Sequence, residues 1–242
     1  MLKMRANDPV AASVVAAIQR GDVEGLRHLL QNDAGLATAR IVDGCGAART
    51  LLHIATDWPG HFPRGAETVA VLIAAGADVN APMIGPHSET PLHWAASSDD
   101  VDVLDALIGA GAEIEASGSV IDGGPPLSDA VAFGQWRAAR RLVERGAQAT
   151  LWHAAALGLM DRVVDHFSSE TPPTPDEVTN AFWCACHGGQ RQTAEYLLDR
   201  GAELNWVGHD RLTPLDAAER SKADELADWL RARGASAASE LS

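Results

Sequence analysis

Cysteine is scarce in this sequence. Three occur in 242 residues, Cys45, Cys184 and Cys186, and so small and odd a number makes no disulfide framework. A reducing compartment, the cytoplasm, is the expected location. Basic residues are few as well: Lys and Arg total 19 against 33 Asp and Glu, a formal charge of −14. Phosphate backbones and anionic lipid surfaces repel such a chain at long range, so neither nucleic acid nor membrane is an expected partner. No apolar run reaches the ~20 residues needed to span a bilayer. The start, MLKMRANDPVAAS, has no apolar core of the type that directs secretion. The motifs G-x-x-x-x-G-K, G-x-S-x-G and HExxH are missing, and with them the best-marked nucleotide, hydrolase and metalloprotease sites. Cys184 and Cys186 read CxC, but no second pair and no HxxxH accompanies them, so neither metal nor cofactor is expected.

What the sequence has is repetition. Hydrophobic residues make up 46% of it and charged residues 21%, a composition that folds. A Gly-Ala pair recurs after an apolar helical stretch, with glycines at Gly76, Gly111, Gly146, Gly201 and Gly234, spaced by 35, 35, 55 and 33. A glycine just past a helix takes the left-handed conformation without Cβ strain. Upstream stand TLLHIA (50–55), TPLHWAA (90–96), PPLSDAV (125–131) and TPLDAA (213–218). Thr followed by Pro is a helix start, the Thr capping and the Pro preset at the first helical position.

Two motifs recurring together at this spacing resemble the ankyrin repeat, whose signature is T-P-L-H-x-A-A, then a second helix, then G-A-D-V-N-A. The resemblance implies an all-α solenoid of stacked helix-turn-helix repeats joined by short β-hairpins or loops, one domain over residues 1–242. Seven repeats are marked out, at 8–39, 41–81, 82–116, 117–150, 151–173, 174–205 and 206–236, with a frayed tail at 237–242. The first and last are caps, as a stacked array needs polar ends. The fifth lacks its Gly-Ala and hairpin segment, which accounts for the spacing of 55. In the family the His of T-P-L-H is structural, which is the reading for His53 and His93.

The resemblance also implies a protein or peptide partner, held on a concave face of hairpin tips and first helices. The residue after the His slot, and those three and four places on, share that face. Counted this way Trp94, Asp129, His153 and Trp183 form a row across four first helices, with Phe133, Cys186 and His187 beside them. Two readings stay open. The row is a Trp-walled pocket for a cation or small molecule, with Asp129 and His153 as an acid–base pair and His187 in reserve, or its aromatic residues only pack against hairpins and neighbouring helices. The second repeat carries an insertion, DWPGHFPRGAE (57–67), where a short turn is usual. Its Asp57, Trp58 and His61 are candidate site residues on a lid over the row. Trp206 lies at the far end, in NWVGHD. The expected function is a monomeric binding scaffold whose partner carries a cationic feature matching the charge of the chain. The alternatives are a small-molecule site or a hydrolase or proton-transfer enzyme at Asp129 and His153, and an inhibitory partner protein masking a basic surface.

Overall fold

The computed structural model describes residues 2–241. They form two compact units, divided between Ala147 and Gln148, each taken by itself below.

The first unit opens with strand β1 (Lys3–Arg5), helices α1 (Pro9–Arg20) and α2 (Val23–Asn32), then strands β2 (Arg40–Val42) and β3 (Ala48–Thr50). β1 pairs parallel to β2 and β2 antiparallel to β3. The β2–β3 hairpin is the expected kind of connection; β1 has no sequence signal, because three residues carry no readable period. Three helix pairs follow: α3 (Leu51–Thr56) with α4 (Gly65–Ala74), α5 (Pro91–Ser97) with α6 (Val101–Gly109), and α7 (Pro126–Ala132) with α8 (Trp136–Glu144). The first helices stack on one another and the second helices do likewise.

The sequence dictates this locally. Thr50 and Thr90 cap α3 and α5, each engaging the backbone and ring of the His three residues on. Pro91 and Pro126 open their helices, where a missing N–H costs nothing. Past α4 and α6, Gly76 and Gly111 stand at φ 100° and 94°, a conformation in which a Cβ would be strained. Leu51, Leu92 and Leu127 are wholly buried between the stacked helices, with Ala95, Ala96 and Ala130 letting the backbones approach. Burying each such Leu contributes about 1.5–3 kcal/mol, so the stack, and not propensity, holds helices of six or seven residues.

The second unit has pairs α9 (Leu151–Leu157) with α10 (Met160–Ser168), α11 (Pro175–His187) with α12 (Arg191–Leu198), and α13 (Pro214–Arg220) with α14 (Asp224–Arg231). α11 has 13 residues where α9 and α13 have seven. Thr174 and Glu177 form a capping box that starts α11 early: the Glu177 carboxylate accepts from Thr174 N at 2.8 Å and from its Oγ1 at 2.9 Å. Additional helix thus stands where the trimmed fifth repeat lacks a hairpin. Of the tail expected to fray, residue 242 lies outside the described residues, while Ala238–Glu240 form a 3-10 turn and Ala238 N donates to Asp216 Oδ2 at 2.9 Å. No helix among the described residues is long and apolar enough to cross a membrane.

Candidate ligand cleft

The slot three residues into each first helix organises the inner side of the stack. In α3, His53 Nδ1 accepts from Thr50 N at 3.3 Å, so the ring proton lies on Nε2, which donates to Glu89 O at 3.0 Å. In α5 the same arrangement joins His93 to Thr90 N at 3.1 Å and to Gly124 O at 3.2 Å. Each imidazole therefore ties its own helix start to the hairpin of the next repeat. Burial holds both rings down at a pKa of about 4, so they stay neutral and keep the tautomer that this bridge needs.

His153 occupies that slot in α9: its Nδ1 accepts from Thr150 N at 3.3 Å, and burial lowers it to about 4. Trp183 stands at the corresponding place in α11, where its indole Nε1 donates to Leu212 O at 2.9 Å. Both lie one residue away from the position that Trp94 and Asp129 hold, so the expected four-residue row is corrected. Trp94 and Asp129, in the first unit, follow the slot, whereas His153 and Trp183, in the second, fill it. Asp129 is buried too. Its Oδ1 accepts from Ser119 Oγ at 2.5 Å while Oδ2 has no partner, and burial raises its carboxyl to about 7.

Trp94 does reach open space. Its indole meets the ring of His53 edge-on at 5.0 Å and forms one wall of a cleft of about 440 Å³. The rest of the lining includes Asp57 and Trp58 from the insertion, Glu89, Val120 and Phe133. Trp58 is 74% exposed and Phe133 51%, large apolar rings held at a rim without cover. Asp57 pairs with Arg49 at 2.7 Å, and that guanidinium lies 5.9 Å from the Trp94 ring centre. Burial pushes the Glu89 carboxyl above its ordinary range, offset in part by a hydrogen bond from the Trp94 side chain. The cleft thus combines aromatic faces with two carboxylates, of which Asp57 is already paired with Arg49.

The insertion is anchored through His61. His61 N donates to Asp100 Oδ2 at 2.7 Å, and the His61 ring bonds Ser98 O at 3.1 Å. His61 therefore fastens the loop to the turn between α5 and α6, while Trp58 stays at the rim. Glu89 and Arg49 fall in PHSE (86–89) and DGCGAAR (43–49), hairpin segments expected from the sequence as contact points, whereas Val120 was missed. Each sits in a hairpin arm, outside the helical spacing used to find the others.

In the second unit the remaining candidates gather around Trp183. The His187 ring lies 5.5 Å from it, and His209, 5.0 Å from Trp183, is 5.9 Å from Trp206. Arg220 stands 5.8 Å over Trp183 and pairs with Asp210 at 2.6 Å. Cys184 is buried and its thiol is pushed up to about 12, which leaves it unreactive. Among the described residues no group of three or more His, Cys, Asp or Glu is placed to hold a metal ion.

Comparison with known proteins agrees with this architecture. Residues 13–118 match the family model for ankyrin repeats, described as three copies. Over 186 residues, 73% of the chain, the sequence is 30% identical to an ankyrin repeat and KH domain-containing protein of Caenorhabditis briggsae. Over 169 residues, 70% of the chain, it is 27% identical to a protein of the same description from Caenorhabditis elegans. The chain spans 7% and 6% of the length of these two relatives.

Proposed function

Because the chain belongs to the ankyrin-repeat family, we propose that it is a binding scaffold that holds a protein partner on the side of the first helices and hairpin loops. The cleft of Trp58, Trp94 and Phe133 with Asp57 and Glu89 is the part that engages a cationic group of that partner. The carrying observation is the pair of exposed rings, Trp58 and Phe133, lining the same cleft as two carboxylates. Aromatic rings at the centre of an interface supply a large part of its binding energy, and the charge of −14 steers a basic partner inward. The proton-transfer alternative draws less support. Asp129 is engaged by Ser119, and His153 by Thr150, each within its own repeat.

The test is capture from native lysate at low salt, run in parallel with the natural chain and a Trp58→Ser, Phe133→Ser double variant. Both rings are exposed, so the variant folds. The reading expects proteins retained by the natural chain to be lost with the variant and released by added salt. An identical retained set from both baits would contradict it.

A further inference from the structure

Beside the cleft runs a second depression of about 710 Å³, between the loops that hold Met83 to Ser88 and Gly118 to Gly123. Val120 lines both hollows, so they share a wall. Val120 is 38% exposed and Ile84, on the far side, 44%. The formally charged residues lining the hollows are Asp57 and Glu89 in the cleft and Asp122 in the groove, with Arg49 beside the cleft paired to Asp57.

The groove floor is built, not loose. Ala48 N donates to Ile84 O at 2.7 Å and Ile84 N to Ala48 O at 3.0 Å, while Met83 N donates to Glu89 O at 2.7 Å. Gly118 N and Ser119 N donate to Gly123 O and Gly124 O at 2.9 and 3.1 Å. Gly118 presses so closely on Ser88 that a Cβ there would meet its carbonyl. These loop groups are already paired, so they offer a partner little backbone for strand addition, and recognition falls to side chains entering the hollows.

The chain itself contains an example of what the cleft wall accepts. The Arg49 guanidinium stands near the Trp94 ring with a carboxylate, Asp57, at 2.7 Å. Resting on the scaffold reading above, we propose that the partner segment is an extended peptide with two anchors: an arginine entering the Trp94 cleft, and an apolar side chain lying across Val120 toward Ile84. Arginine fits because its flat, weakly hydrated cation stacks on an indole while bonding a carboxylate. An extended chain fits because one strand of about 3.3 Å per residue can place side chains in two adjoining hollows.

The probes are labelled peptides of form Arg-(Gly)n-Leu, with n from one to five, and controls bearing only the Arg, only the Leu, or citrulline for Arg. They are titrated with the full chain. The proposal expects one spacing to bind at least tenfold tighter than the Arg-only peptide, through effective concentration. Ile84→Asn, which lies outside the Trp94 cleft, removes that gain and leaves Arg-only binding unchanged, whereas Phe133→Ser weakens both and citrulline binds like the Leu-only control. If no spacing improves on the Arg-only peptide, the two-anchor proposal is overturned while the scaffold reading stands. If the Arg-only peptide does not bind at all, both fail.

Discussion

The indole of Trp183 donates to the carbonyl of Leu212, the residue before Thr213, at 2.9 Å. His53 makes the same link to Glu89, before Thr90, and His93 to Gly124, before Pro125. One structural function, tying a first helix to the next hairpin, is carried by two different ring N–H donors. Trp183→Phe keeps the buried apolar bulk and removes the donor, leaving the Leu212 carbonyl without it. The expected cost is about 1–2 kcal/mol in denaturant unfolding. An unchanged midpoint would mean that the bond contributes nothing.

The buried titratable groups give stability a pH dependence of known sign. His53, His93 and His153 fall from 6.5 to about 4 on folding. The unfolded chain then binds more protons between those values, so stability is full above pH 6.5 and is lost as pH falls toward 4, by up to about 3 kcal/mol per ring. Asp129 acts the other way. Its carboxyl rises from 3.8 to about 7, so its burial costs nothing below pH 3.8 and destabilises increasingly as pH climbs through 7. Asp129→Asn is therefore expected to be more stable than the natural chain at pH 8, by a few kcal/mol at most, and to lose stability more steeply between pH 7 and 4. Denaturation midpoints of both proteins at pH 8, 6 and 4 check this; parallel curves would contradict it.

Most of the fold was legible in the sequence, because Thr-Pro starts and Gly-Ala ends are local signals that tertiary packing does not override. The site was legible in part. Asp57, Trp58, Trp94 and Phe133 were all named from spacing, and the cleft brings them together. The register was misread in repeats five and six. Repeat five reads TLWHAA (150–155), the same frame as TLLHIA, so His153 is the slot itself and the count there ran one residue early. In repeat six the Thr174 cap begins α11 early, and the T-P-L-H frame cannot be counted from it. The N–H groups just past each first helix would have given the frame: Asp100 N bonds Ala95 O, and Gln190 N bonds Ala185 O. Two residues before Ala95 stands His93, and two before Ala185 stands Trp183. Glu89 was legible only as part of the hairpin segment PHSE, and Val120 not at all, because both reach the cleft through hairpin packing, which has no sequence period.

Asp100 links the insertion to the repeat that follows. It is buried, caps α6 through Val103 N at 3.3 Å and accepts from His61 N at 2.7 Å. Asp100→Ala loses both bonds, with an expected cost of about 1–3 kcal/mol. It also frees the loop, so hydrogen exchange should quicken over residues 58–64 more than over α5. Uniform exchange rates across the two segments would mean that the loop is held by something else.

The cleft itself is tested most directly by the seven tryptophans, each of which contributes one indole N–H resonance. The peptide Gly-Gly-Arg-Gly-Gly is titrated into the nitrogen-15-labelled chain, with resonances assigned by single Trp→Phe variants. Arginine binding at the cleft predicts saturable shifts at Trp58 and Trp94 that shrink with added salt, while Trp183, Trp206 and Trp229 stay in place. Shifts confined to those three, or no shift at Trp58 and Trp94 at the highest peptide concentration, would contradict the account.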